Sequence, residues 1–380
     1  MDLQGINSMF STINVINPES HINHLPVELL QQIFLLVVHD LNPPDYHLSI
    51  FSLEYSAVCA IPAIFTAPPL LFTRVCRLWR VVACSTPRLW SRIQVMLPGG
   101  TKPLSPFPPS LLQFWLACSG DHPLTLRIDS RPLSQPSPYS EVNSQLLEIL
   151  LSEKGRWETV NFVSHEDYER AFNLDILDTP QLRTLKCRIS DLKRFNAPNL
   201  SCLHLWGIFY ASRVPMILSE HTPTTINIRH LYIAYTSVHF ICSIPVIFPR
   251  LKTFVVHQIL HEAESDIVTR SRLDIESMTL PVSPHIDIWP KLNAIFKGLH
   301  LPMLQKLILL SEPRKIQVAY VKAALVVGSC FPRVIDFQAA TPLSEVDVDI
   351  VESLLEVVEE VTVRGEVVCC RASCTTKTPL

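Results

Sequence analysis

Near the start of the chain, Leu29, Leu30, Ile33, Phe34, Val37 and Val38 recur at i, i+1, i+4, i+5, i+8 and i+9, the spacing of one helical face. The helix is expected to open at Pro26, because a first helical position loses nothing by lacking an N–H, and to stop by Asn42-Pro43-Pro44. A second helical stretch carries Phe72, Val75, Cys76, Trp79, Val82 and Ala83 and ends at Ser85-Thr86-Pro87. Thr86 is placed to cap a further short helix that begins at Pro87 and holds Leu89 and Trp90. Beyond it the spacing predicts a helix over 110–118, a strand alternating Leu124, Leu126 and Ile128, and a helix over 140–151.

From residue 157 the pattern changes to apolar-x-x-apolar-x-apolar and repeats. The units are Trp157/Val160/Phe162, Leu182/Leu185/Cys187, Leu200/Leu203/Leu205, Ile228/Leu231/Ile233, Leu251/Phe254/Val256, Ile275/Met278/Leu280, Leu304/Leu307/Leu309, Val334/Phe337/Ala339 and Val358/Val361/Val363. Their first positions are 25, 18, 28, 23, 24, 29, 30 and 24 residues apart. Those intervals are close to the period of about 20–29 residues of leucine-rich repeats, each unit supplying one strand. Pro180, Pro198, Pro249, Pro302 and Pro332 stand two residues before a first apolar position, where a loop would enter the strand. The asparagine that such repeats place eight residues after the first leucine is missing, so an irregular repeat domain is expected; an unrelated α/β domain is the competing reading. In the repeat register Thr184, Lys186, Cys202, His204, Tyr232, Thr253, Val255, Lys306 and Ile308 lie between the inward positions and share the opposite face of the sheet.

Leu25-Pro26-x-Glu28-Leu29-Leu30-x-x-Ile33-Phe34, then Val75-Cys76-Arg77-x-Trp79-Arg80 and Thr86-Pro87-x-Leu89-Trp90, resembles an F-box domain. A proline-rich insertion over 42–70 lengthens the usual connection. F-box first and degenerate repeats after is also the order of that family. The resemblance implies an α/β chain with a small all-α module followed by an irregular leucine-rich-repeat-like solenoid. The expected boundaries are a leader over 1–21, the F-box-like module over 22–95, a linker region with a first helix and strand over 96–139, the repeat domain over 140–366 and a tail over 367–380. It further implies a Skp-type adaptor, and through it a cullin, as partners. Leu25, Pro26, Leu29, Leu30, Ile33, Phe34, Val75, Cys76, Trp79, Leu89 and Trp90 would form or support the adaptor contact. The repeat face would hold a target protein, with Lys186, His204, Trp206 and Tyr232 as candidates.

Composition narrows the alternatives. Of 380 residues 48% are hydrophobic and 18% charged, and mean hydropathy is +0.24, which excludes a mostly disordered chain. A net charge of −3 with a pI near 6.5 gives no electrostatic case for nucleic acid or an anionic membrane. Two uncharged runs, 55–73 and 231–249, are interrupted by proline, so no membrane span is expected. Eleven scattered cysteines without a signal-peptide pattern in residues 1–20 predict reduced thiols in the cytoplasm or nucleus. Thirty-one prolines against nine glycines favour rigid turns over phosphate-cradling loops.

Motifs of catalysis are missing: no Gly-x-Ser-x-Gly elbow, Walker loop, dinucleotide fingerprint or His-Glu-x-x-His is present. No enzyme activity and no cofactor or metal are therefore expected. Cys202 and His204 share one face of a strand, which suits either a nucleophile–base pair or ordinary surface residues. Cys369, Cys370 and Cys374 read as thiols of a frayed tail. An acidic stretch from Glu345 to Glu360 would put Glu345, Asp349, Glu352, Glu356 and Glu359 on one helical stripe, opposite Val346, Ile350, Leu354 and Val357. Arg183, Lys186, Arg188, Lys193 and Arg194 form the basic counterpart. The expected function is that of a non-catalytic substrate-recognition subunit of an SCF-type ubiquitin ligase. The alternative is an F-box-like repeat scaffold outside any ligase.

Overall fold

The computed structural model describes residues 22, 25–40, 68–97, 107–130, 141–163, 176–206, 227–260, 270–281, 288–311, 314–338 and 348–371. These fall into two compact units, one drawn from Met1–Leu151 and Ser164–Ala171, the other from Ser152–Val163 and Phe172–Leu380. Both combine helices with parallel strands, so the chain is mixed α/β with a large, mostly parallel sheet.

In the first unit, α1 (Val27–Asp40) starts directly after Pro26, whose carbonyl accepts from the Leu29 and Leu30 amides. The stretch expected as one helix from Phe72 to Ala83 is two: α2 (Phe72–Val75) and α3 (Arg77–Cys84). Cys76 lies between them in an extended conformation, and its Sγ accepts from the Trp79 amide at 3.4 Å. A residue that caps one helix while ending another cannot be told from a helix interior by spacing alone. Pro87–Trp90 forms a 3-10 turn. Thr86 does not cap it through its side chain; Thr86 Oγ1 instead donates to the Val82 carbonyl at 2.7 Å, tying the turn back to α3.

A strand that the apolar pattern did not announce, β1 (Arg92–Leu97), follows and crosses the boundary expected at 95. It pairs in parallel with β2 (Leu124–Ser130), in register Ile93↔Leu126 and Val95↔Ile128, with α4 (Phe107–Ser119) as the crossover. All four paired side chains are buried. Helix α5 (Glu141–Ser152) completes the unit and buries Leu146, Leu147 and Leu150.

The second unit is built on strands that stand in the sheet in the order of the sequence: β3 (Trp157–Val163), β5 (Thr184–Cys187), β7 (Cys202–Leu205), β8 (His230–Thr236), β9 (Thr253–Ile259), β11 (Ser277–Pro281), β13 (Lys306–Leu310), β14 (Val334–Phe337) and β15 (Glu360–Val363). Neighbours among these nine are parallel. Strand β16 (Glu366–Cys370) turns back antiparallel to β15. The tail expected from 367 is therefore strand as far as Cys370. Two short parallel pairs, β4 (Leu177–Asp178) with β6 (Phe195–Asn196) and β10 (Ser271–Arg272) with β12 (Leu299–His300), lie in the crossovers.

Proline explains how the chain enters several strands. Leu182, Leu200, Leu251 and Leu304 each donate an amide proton to the carbonyl three residues earlier, at Thr179, Ala197, Phe248 and Leu301. Pro180, Pro198, Pro249 and Pro302 thus occupy the second position of a tight turn, where a fixed φ near −65° is already correct. A backbone ladder links successive units at strand entry. The carbonyls of Arg183, Ser201, Arg229, Lys252, Glu276 and Arg333 each accept from two consecutive amides of the next unit, for example Ser201 and Cys202 on Arg183. Main-chain acceptors satisfy these groups without any particular side chain, so the sequence carries no mark of them.

Inward positions form two continuous rows. One runs Val160–Leu185–Leu203–Leu231–Phe254–Met278–Leu307–Ile335–Val361, and every member is buried. Eight of the nine expected units have this register. The exception is Val334/Phe337/Ala339: Pro332 is buried in the first position, Ile335 takes the second and Phe337 the third, while Val334 faces the other side.

Crossover helices back the sheet. Helix α6 (Ile189–Leu192) is a single turn, whereas α7 (Val238–Ile247), α8 (Ile288–Gly298) and α9 (Lys315–Gly328) are longer. Ser237 Oγ accepts from the Phe240 amide and caps α7. The uncharged run 231–249 is thus a strand followed by a capped helix; among the described residues no helix is long and apolar enough to cross a membrane. Helix α10 (Val348–Glu352) spans five residues, and a 3-10 turn at Ser353–Glu356 precedes β15. The acidic stripe expected on one helix is therefore divided: Asp349 and Glu352 lie on the helix, Glu356 on the turn, and Glu359 just before β15. Residues 339–347, with Glu345 and Val346, lie outside the described residues, as does 41–67 of the insertion.

Candidate functional site

Two surfaces combine the features of interaction sites, one in each unit. In the first, α1 divides its apolar residues between opposite sides. Leu30, Phe34 and Val38, at i, i+4 and i+8, are buried. Leu29, Ile33 and Leu36, at i, i+4 and i+7, are 45%, 37% and 57% exposed. A helix apolar on both sides is one that a further surface would cover. Its inward side meets a ring cluster: Phe34 stacks on Phe72 at 4.2 Å between centroids and lies 4.9 Å from Trp79. Trp90 Nε1 donates to the Ala83 carbonyl at 2.7 Å, and its ring meets Trp115 edge-on at 4.8 Å.

Among the residues expected to meet an adaptor, Pro26, Leu29 and Ile33 are exposed, and Leu25, Val75, Cys76 and Trp79 are half-buried. Leu30, Phe34, Leu89 and Trp90 are core instead, so they position the helices rather than present a surface. Leu36 belongs to the exposed stripe although the sequence reading omitted it; its place seven residues after Leu29 was the available signal.

On the second surface the strands hold two rows of outward side chains. One row is Thr159–Thr184–Cys202–His230–Thr253–Ser277–Lys306–Val334–Glu360, and the next is Asn161–Lys186–His204–Tyr232–Val255–Thr279–Ile308–Asp336–Thr362. The expected set from Thr184 to Ile308 therefore shares one face. His204 and Tyr232 stack in parallel, 4.1 Å apart and 3° from coplanar. His230 Nδ1 and Thr253 Oγ1 are hydrogen-bonded at 2.8 Å. Trp206 continues this side beyond β7, with the Arg188 guanidinium 4.8 Å from its ring centroid. His230 was missed in sequence, although it is two residues from Tyr232 and so has the same orientation.

Cys202 Sγ is 3.4 Å from His204 Nε2, the geometry a nucleophile–base pair needs. Burial nevertheless pushes the Cys202 thiol up, against a smaller downward pull from its hydrogen bond with Thr184. A reactive cysteine is favoured by the opposite shift. Burial, reinforced by Cys202, likewise raises Tyr232.

At the far end of the face Asp336 is enclosed. Its carboxylate accepts from Lys306 Nζ at 2.8 Å, Gln338 Nε2 at 3.1 Å and the Gly365 amide at 3.0 Å. Burial disfavours its charge, but the hydrogen bonds from Lys306, Gly365 and Thr362 and the Lys306 charge outweigh that and hold it below the usual carboxylate range. Gly365 has φ +80°, in the left-handed region, which lets the β15–β16 turn aim its amide at Asp336. Glu356 and Glu359 of the acidic stretch are paired with Lys322 at 2.6 Å and Arg333 at 3.9 Å. Cys369 and Cys370 lie on β16, and among the described residues no group of three potential ligands is placed to hold a metal ion.

Compared with known proteins, the chain matches no protein-family model and no curated relative.

Proposed function

We propose that the chain is the non-catalytic substrate-recognition subunit of an SCF-type ubiquitin ligase, with an F-box-like module at its N-terminus and an irregular leucine-rich-repeat-like solenoid after it. The observation that carries this reading is the outward stripe Leu29–Ile33–Leu36 on a helix whose opposite side is already packed. It lies within the Leu-Pro-x-Glu-Leu-Leu-x-x-Ile-Phe segment that resembles the adaptor-binding helix of F-box domains. In this reading the stripe docks on a Skp-type adaptor, and the outward strand face holds a target protein near the charged E2. The contribution to ubiquitin transfer is proximity, because tethering two reactants raises their effective concentration without a catalytic side chain on this chain.

The test is co-purification of adaptor and cullin from cells with the full chain and with a Leu29→Ser/Ile33→Ser/Leu36→Ser variant. Interface anchors of this type cost about 2 kcal/mol or more when truncated. The variant is expected to keep its circular dichroism and melting temperature while losing the adaptor. A wild-type chain that brings down neither adaptor nor cullin overturns the reading and favours a scaffold outside the ligase.

A further inference from the structure

Charge is unevenly distributed over the outward strand face. From β3 to β9 the two rows hold Thr159, Asn161, Thr184, Lys186, Cys202, His204, His230, Tyr232, Thr253 and Val255, with Arg188 and Trp206 continuing two strands. No carboxylate is among them. Carboxylates enter the two rows only at Asp336 and Glu360, on β14 and β15, and Asp336 is already held by Lys306. Lys186 is exposed and carries no ion pair among the described residues. Arg188 lies against the Trp206 ring and keeps its positive charge, and no carboxylate among the described residues pairs with it.

We infer that this half of the strand face, centred on Lys186, Arg188, the His204–Tyr232 stack and Trp206, binds an acidic segment of the target protein. The inference rests on the recognition-subunit reading and specifies the chemistry of what is recognised. Lys186 and Arg188 are two residues apart on one edge of the patch, about 7 Å along the chain at strand rise, the spacing of alternate side chains in an extended peptide. His204 and Tyr232 sit one and two strands away, roughly 5 and 10 Å across the sheet, and offer a flat aromatic floor. An extended segment with carboxylates at alternate positions and an aromatic or apolar side chain between them matches this arrangement. The rows do not complement a basic segment, because a cationic side chain entering here meets only cations and neutral groups. Trp206, already faced by Arg188, gives a bound carboxylate a cation held in a fixed place rather than a freely rotating one.

The test uses the full chain and fluorescein-labelled peptides by anisotropy: (Glu-Tyr)6, its (Gln-Tyr)6 counterpart, (Lys-Tyr)6 and a tyrosine-phosphorylated (Gln-Tyr)6. Binding of the acidic peptide is expected, weakened by added salt, with the glutamine peptide at least about 10-fold weaker and the lysine peptide without binding. A Lys186→Glu/Arg188→Glu variant is expected to lose about 10-fold or more for the acidic peptide and to gain binding of the lysine peptide. Lys186→Glu alone, at an exposed position, is expected to show part of both changes with the wild-type melting temperature. Equal binding of the glutamine and glutamate peptides overturns the inference, as does an unchanged affinity in the charge-reversed variant. Binding of the phosphorylated peptide alone also overturns it, since it would assign the cations to phosphate instead of carboxylate. Adaptor co-purification measured on the same samples separates the two readings. Capture of adaptor without the acidic peptide refutes the acidic site only, and binding of the peptide without adaptor refutes the ligase reading only.

Discussion

Asp336 and Lys306 form an ion pair whose two ends differ sharply in their access to water: the Asp336 side chain is 2% exposed and that of Lys306 41%. Removing either partner therefore has unequal consequences. Lys306→Met strands a carboxylate that water cannot reach, whereas Asp336→Asn strands an ammonium that solvent hydrates. Breaking a buried pair costs about 3–5 kcal/mol when a charge is left behind. The lower end, about 3 kcal/mol, applies to Lys306→Met, because Gly365, Gln338 and Thr362 still donate to the carboxylate. Asp336→Asn keeps an acceptor for the Gly365 amide and loses mainly one charge-assisted bond, about 1.5 kcal/mol. At about 2–4 °C per kcal/mol for a unit of this size, the melting temperature should fall by roughly 6–12 °C for the lysine variant and about half as much for the asparagine variant.

The pH dependence has a definite sign. Asp336 is depressed in the folded state, so its contribution is complete above the unfolded pKa of about 3.9 and is lost as pH falls through the lower folded value. The deficit of both variants relative to wild type should thus be largest at neutral pH and should shrink below about pH 4. Calorimetry at pH 7 and at descending pH measures this. An asparagine variant as damaging as the methionine variant, or a deficit that grows in acid, would refute the reasoning from unequal burial.

Adjacent residues on β8 test the strand register: Leu231→Asp buries an unpaired carboxylate and should unfold the second unit, while Tyr232→Asp on the outward face should shift the melting temperature by only a few degrees. Phe34→Ala should cost about 3–5 kcal/mol of first-unit stability through the cavity left against Phe72, read by chemical denaturation. Gly328→Ala should cost about 1–3 kcal/mol, because the added methyl would lie 2.7 Å from both the Cβ and the carbonyl oxygen of Phe296 on α8, where backbone cannot retreat; thermal unfolding reports it.

Periodicity by itself located most of the parallel strands and their inward residues. Burial of alternate side chains is a local requirement that every strand meets separately, so Leu203, Leu231 and Leu307 are legible without knowing their neighbours. Proline turns were legible for the same reason, since a fixed φ acts within four residues. The eighth unit was misread because Val334 and Phe337 satisfy the spacing as well as Pro332, Ile335 and Phe337 do, and only pairing with Leu307 and Leu309 chooses between them. In the first unit the spacing marked six apolar residues of α1 as one face, without Leu36 and without their division: Leu29 and Leu30 are equally apolar, and which one is buried depends on where Phe72, Trp79 and Trp90 come to rest. The backbone ladder from Arg183 to Arg333 left no trace at all, because carbonyls are common to every residue. Tertiary structure alone also created the uneven charge of the strand face. The Lys186–Arg188 pair is separated from Asp336 by a long stretch of chain, and their placement at opposite ends of one surface follows from strand order, a property of how the units stack rather than of any unit by itself.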